Sequence, residues 1–95
     1  MHASVSRYRA IDVEGLVKSV EEEFVERVRT IDGFVGYYLI DGGDGTITTI
    51  TLGEIGEAVE ASIVGAQRWV VERAAHLVEE APEITVGDVR VRVER

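Results

Sequence analysis

Two periods of apolar residues alternate along this chain. Val13, Leu16, Val17, Val20, Phe24, Val28 and Ile31 recur every three or four residues and draw one stripe along a helix. Asp12 stands just before that stripe, where a short side-chain oxygen caps a first turn. Glu21, Glu22, Glu23 and Glu26 fall outside the stripe, and Glu23 precedes Arg27 by four residues in the favourable order for a surface pair. Asp32-Gly33 ends the helix, with Gly33 suited to a left-handed cap. Before the helix, residues 4–11 read as a strand, and after it residues 34–40 read as a second. Strict alternation sends Phe34, Tyr38 and Ile40 to one face of that second strand and Val35, Tyr37 and Leu39 to the other. Both faces are therefore apolar, and either could meet the helices.

The turn Asp41-Gly42-Gly43-Asp44-Gly45 is rich in residues that tolerate positive φ. It leads into the β-branched run at residues 46–52, so strands two and three form a hairpin. Residues 54–80 are expected to be helical, with a bend or break at Gly65. Their main stripe is Ile55, Val59, Ile63, Ala66, Val70, Ala74 and Leu77, widened on one flank by Val64, Val71, Ala75 and Val78. Pro82 closes the segment, and residues 84–93 form a last strand in which Val89, Val91 and Val93 oppose Asp88, Arg90 and Arg92. The order strand, helix, hairpin, helix, strand predicts an α+β, ferredoxin-like split βαβ in a single domain over residues 1–95. Its four-stranded antiparallel sheet carries the helices on one face. A sheet whose second strand is apolar on both sides needs a second cover, and the simplest is another copy of the chain, a homodimer.

Composition narrows the function classes. The net charge of −8 argues against nucleic acid and against an acidic membrane surface as partners. No apolar run approaches the roughly 20 residues that span a bilayer, and residues 1–10 lack the apolar core of a signal peptide. Cysteine is absent, which removes disulfides, thiolate nucleophiles and Cys-based metal sites and points to the cytoplasm. The Gly-rich turn lacks the Lys-Ser/Thr of a P-loop and joins two strands, so it is read as a hairpin turn and not as a phosphate cradle.

The passage Ile31-Asp32-Gly33-Phe34-Val35-Gly36-Tyr37-Tyr38 resembles the "pGF.gyyl" opening of the second strand in the dimeric α+β barrel superfamily, specifically its small antibiotic-biosynthesis-monooxygenase-like proteins. The acidic Gly hairpin turn and the Trp69-Val70 pair in the later helix also match, and the resemblance covers nearly the whole chain. It implies two sheets packed face to face about a two-fold axis. It further implies a cofactor-independent monooxygenase-like activity on a small, partly apolar, oxygenated molecule. A non-catalytic homodimer that binds a small ligand or serves as an accessory domain is the alternative. Haem-degrading members of the superfamily use an Asn, a Trp and an iron-binding His; this sequence has Trp69 and His76 but no Asn, which argues against that chemistry.

Candidate site residues follow. His76 is the one histidine away from the terminus and the candidate general base; surface pairing with Glu72 and Glu80 is the competing reading. Trp69 can stack on a ligand or fill the core, and Tyr8, Tyr37 and Tyr38 can supply hydroxyls to a pocket. Arg7 and Arg9 share one strand face, as do Arg90 and Arg92. With the first and last strands adjacent, Arg9 and Arg90 could lead a guanidinium cluster that binds a carboxylate or phenolate. A metal would need more convergent ligands than one His and neighbouring Glu provide, so no metal and no cofactor are expected.

Overall fold

A computed structural model describes residues 1–79 and 81–95. Strands β1 (His2–Arg9), β2 (Phe34–Asp41), β3 (Thr46–Gly53) and β4 (Glu83–Asp88) form one antiparallel sheet in the order β2-β3-β1-β4. Two helical rods lie on one face of it. The first is α-helical over Val13–Ser19, π-helical over Val20–Phe24 and α-helical again over Val25–Arg29. The second is α-helical over Gly56–Trp69, π-helical over Val70–Ala74 and ends in the 3-10 turn Ala75–Leu77. Asp12 caps the first rod through an oxygen that accepts from the Gly15 N–H, and Gly33 takes φ +85° beyond its end. Leu16, Val20, Phe24 and Val28 are the buried stripe of that rod, and they meet Ile47, Trp69, Ala74 and Leu77 in one core.

β2 departs from strict alternation. Phe34 lies opposite Gly53 and Gly36 opposite Leu52, so Val35 is an extra residue in a β-bulge. The bulge turns Phe34 onto the helix side with Tyr37 and Leu39, and leaves Val35, Tyr38 and Ile40 exposed. The expectation that Phe34 shares a face with Tyr38 fails for that reason. The helices cover the Tyr37–Leu39 face and leave the other bare.

Three further expectations are corrected. Gly65 sits inside continuous α-helix with open space where a side chain would be, and the helix changes geometry instead at Trp69-Val70. Ile55, Val64 and Val71, assigned to the apolar stripe or its flank, are exposed. β4 ends at Asp88 and does not extend to residue 93. It runs antiparallel to β1 with Arg7 opposite Glu83 and His2 opposite Asp88, and the Val89 N–H reaches the Met1 carbonyl at 2.9 Å. The alternation of Val and Arg that follows is not part of the sheet. Val91 and Val93 are 81% and 88% exposed.

Candidate functional site

A cavity of about 450 Å³ lies between the covered face of the sheet and the second helical rod. That volume suits a small organic ligand. Antiparallel registry builds its floor. Ser4, Ser6 and Tyr8 alternate along β1 and stand opposite Thr51, Thr49 and Ile47 of β3, so hydroxyl-bearing residues of both strands point to the same side. Tyr37 on β2 and Ser62 on the helix add two more hydroxyls, and Ser62 donates to Thr51 across 3.4 Å. Ile63, Ala66, Trp69 and Val70 make the apolar wall opposite, with Phe24 closing one end.

Trp69 is held tightly. It is 3% exposed, and its ring centroid lies 5.6 Å from that of Phe24, which in turn meets Tyr37 edge-on at 5.3 Å. The indole Nε1 is buried and donates to nothing among the described residues. An orphaned buried donor costs about 1–3 kcal/mol, so Trp69 is held there at the expense of that hydrogen bond. Both helical rods pass through π-helical turns beside this contact, a distortion that often accompanies functional sites. Two crossed ion pairs of opposite sense link the same turns: Arg73 to Glu23 at 2.7 Å and Arg27 to Glu72 at 3.9 Å. The expected pairing of Glu23 with Arg27 along one helix gives way to these contacts between helices.

Both cavity tyrosines stay protonated at neutral pH. Burial pushes the Tyr8 hydroxyl up from 10.0 to about 12. Burial pushes Tyr37 up as well, reinforced by neighbouring Tyr8 and opposed by the Thr49 hydroxyl. They act as hydrogen-bond donors and not as bases.

The candidates proposed from sequence divide between the cavity and the outside. Tyr8 and Trp69 are brought together in it. Tyr38 is not: it stands on the bare face of the sheet, 56% exposed. Arg7 and Arg9 share that bare side of β1, since Ser6 and Tyr8 face the cavity. Arg9 pairs with Glu79 at 3.3 Å and donates to the Asp44 carbonyl at 3.0 Å. Arg90 and Arg92 follow the end of β4, beyond the opposite end of β1. At about 3.3 Å per residue they stand roughly 20 Å or more along the sheet from Arg7, so the guanidinium cluster does not assemble within the chain. His76 is exposed in the 3-10 turn and does not line the cavity; the helix has tightened before it, and Glu72 is engaged with Arg27. Its other expected neighbour, Glu80, lies outside the described residues. His2, the other histidine, opens β1 and places Nε2 3.0 Å from Asp88. The hydroxyls of Ser4, Ser6, Thr49, Thr51 and Ser62 were not anticipated as site residues. The signal for the first four was the alternation of small hydroxylated residues along β1 and β3.

No family model matches the sequence, and neither does any curated protein. Solved structures do match, over nearly the whole chain. A protein of unknown function from Nitrosomonas europaea superposes with TM-score 0.79 at 14% identity, covering 99% of this chain and 93% of that one. A monooxygenase of Streptomyces coelicolor, solved in complex with Nanaomycin D, gives 0.75 at 16% identity, with coverage of 99% and 91%. The cofactor-independent oxygenase SnoaB of Streptomyces nogalater gives 0.76 at 14% identity, with coverage of 99% and 97%. The chain therefore has the α+β, ferredoxin-like fold of the antibiotic-biosynthesis-monooxygenase-like proteins.

Proposed function

We propose, from that shared fold and the cavity it encloses, that the chain binds a small, partly apolar, oxygen-bearing molecule between its sheet and its second helix, as a homodimer of the cofactor-independent oxygenase type. The observation that carries the reading is the apolar cavity with the hydroxyl-bearing residues Ser4, Ser6, Tyr8, Tyr37, Thr49 and Thr51 along its floor. Together they offer neutral donors to an oxygen of the ligand, while Ile63, Ala66 and Val70 take up its apolar surface.

Such an arrangement suits oxygenation driven by the substrate itself. An anthrone-like molecule has a CH₂ across the central ring from a carbonyl and conjugated to it through the flanking aromatic rings. When a proton leaves that carbon, the charge moves onto the carbonyl oxygen, where fixed donors in a dry site stabilise it. Transfer of the electrons to dioxygen and formation of one C–O bond, followed by loss of water, turn the CH₂ into a second carbonyl. One oxygen atom ends in the product and the other in the water. The tyrosine hydroxyls are the donors that would meet the developing oxyanion. Glu79 at the mouth is the one ionisable carboxylate in the lining among the described residues.

That scarcity of bases supports a second reading, in which the chain binds such a molecule without transforming it. Incubation with anthrone in aerated buffer separates the two. Oxygen uptake matched to quinone formation, lost in Tyr8→Phe, supports catalysis. Quenching of the fluorescence of Trp69, the sole tryptophan, without oxygen uptake supports the binding reading. Neither signal would refute both.

The homodimer is proposed from the bare face of the sheet. Val35, Tyr38 and Ile40 are exposed there beside Val5, Ile50 and Leu52, and the helices of the same chain lie wholly on the other side. A second copy facing it would give the α+β barrel.

A further inference from the structure

We infer that the cavity selects an uncharged ligand with a carbonyl-type acceptor and discriminates against carboxylated relatives of the same shape. The inference rests on the reading of the cavity as a ligand site and specifies what that site takes. Among the described residues every polar side chain on the interior walls is uncharged: the hydroxyls of Ser4, Ser6, Tyr8, Tyr37, Thr49, Thr51 and Ser62. No Lys, Arg or His lines it among the described residues. The one charged lining residue, Glu79, is an anion at the mouth, and its carboxylate is already engaged by Arg9. Of the arginines proposed for an anion, Arg7 stands on the bare sheet face and Arg90 beyond β4, while Arg9 reaches only Glu79 at the mouth and the Asp44 carbonyl.

A carboxylate entering this space would leave water for a wall without a counter-charge, which is the costly case of burying an unpaired ion. The same burial already holds the Tyr8 and Tyr37 phenols in their neutral form. A ketone, amide or quinone oxygen meets no such penalty. It needs only donors, and the hydroxyls along the floor of the cavity supply them. The apolar wall of Ile63, Ala66 and Val70 favours an apolar ring system behind that oxygen.

Naphthamide and naphthoate form a matched pair for the test, being nearly isosteric flat bicycles that differ in charge at pH 7.5. Calorimetric titration of the full chain is expected to give about tenfold or more tighter binding of naphthamide. Gln67→Arg adds a cation at the exposed rim of the cavity and is expected to narrow the preference for naphthamide over naphthoate. Naphthoate binding the wild-type chain as tightly as naphthamide would overturn the inference and leave the cavity a ligand site. Failure of both compounds to bind, or binding of both that Tyr8→Phe leaves unaltered, would overturn the underlying reading and this inference with it.

Discussion

Tyr8 illustrates how one residue couples stability to the cavity. Folding raises its hydroxyl from 10.0 to about 12, so between those values the native chain holds a proton that the unfolded chain releases. The contribution is whole below pH 10 and is lost as the pH climbs towards 12; Tyr37 acts in the same direction. Denaturant midpoints measured across that range are expected to fall with rising pH, and to fall less steeply in Tyr8→Phe. An unchanged slope in the variant would contradict the assignment. Leu16, 1% exposed at the heart of the core, carries a plainer consequence. Leu16→Ala is expected to cost about 2–5 kcal/mol in chemical denaturation, because the rigid packing around it cannot close the void. Leu16 was legible in the sequence as part of a helical stripe. Trp69 was readable as a core residue even though an ideal helix puts it at the edge of a polar stripe; its contact with Phe24 and the π-helical turn that follows were not.

Among the elements, the second helical rod and β3 place opposite demands on glycine. Gly65 lies in helix with nothing near its missing side chain, so Gly65→Ala is expected to stabilise the chain by about 0.5–1 kcal/mol through reduced backbone freedom in the unfolded state. At Gly53, a methyl group would sit 3.0 Å from the Ala58 side chain and 3.1 Å from Val59, where the helix crosses the end of β3. Gly53→Ala is expected to destabilise by about 1–3 kcal/mol, the usual cost of forcing extra volume into a close contact. Thermal or denaturant unfolding of the two variants checks the opposite signs. Sequence could not rank these positions, since both glycines simply interrupt an apolar pattern. It did locate the hairpin turn, where Gly43 and Gly45 take φ of +85° and +90° and Asp44 accepts from the Thr46 N–H. That hydrogen bond, above all, holds the Asp44 carboxyl below its ordinary range.

At the scale of the whole molecule, one covered sheet face and one bare face set the expected assembly. Tyr38→Glu with Ile40→Lys is expected to leave the fold intact and halve the mass found by sedimentation, because both side chains stand on the bare face, away from the core. A wild-type chain that sediments as a monomer would remove the basis for the barrel. The sequence by itself determined the order of elements, the caps at Asp12 and Gly33, the hairpin and the need to cover a strand apolar on both sides. Those features are local, written in periodicity and turn chemistry within a few residues of one another. Only the tertiary structure decided which face of β2 the helices take, because a single extra residue at Val35 reverses the parity of what precedes it. It also decided that Arg90 never reaches Arg9, because the pairing of β4 with β1 ends at Asp88. The cavity belongs to the same class of fact: its hydroxyls come from three strands and a helix, and no spacing along the chain records that they meet.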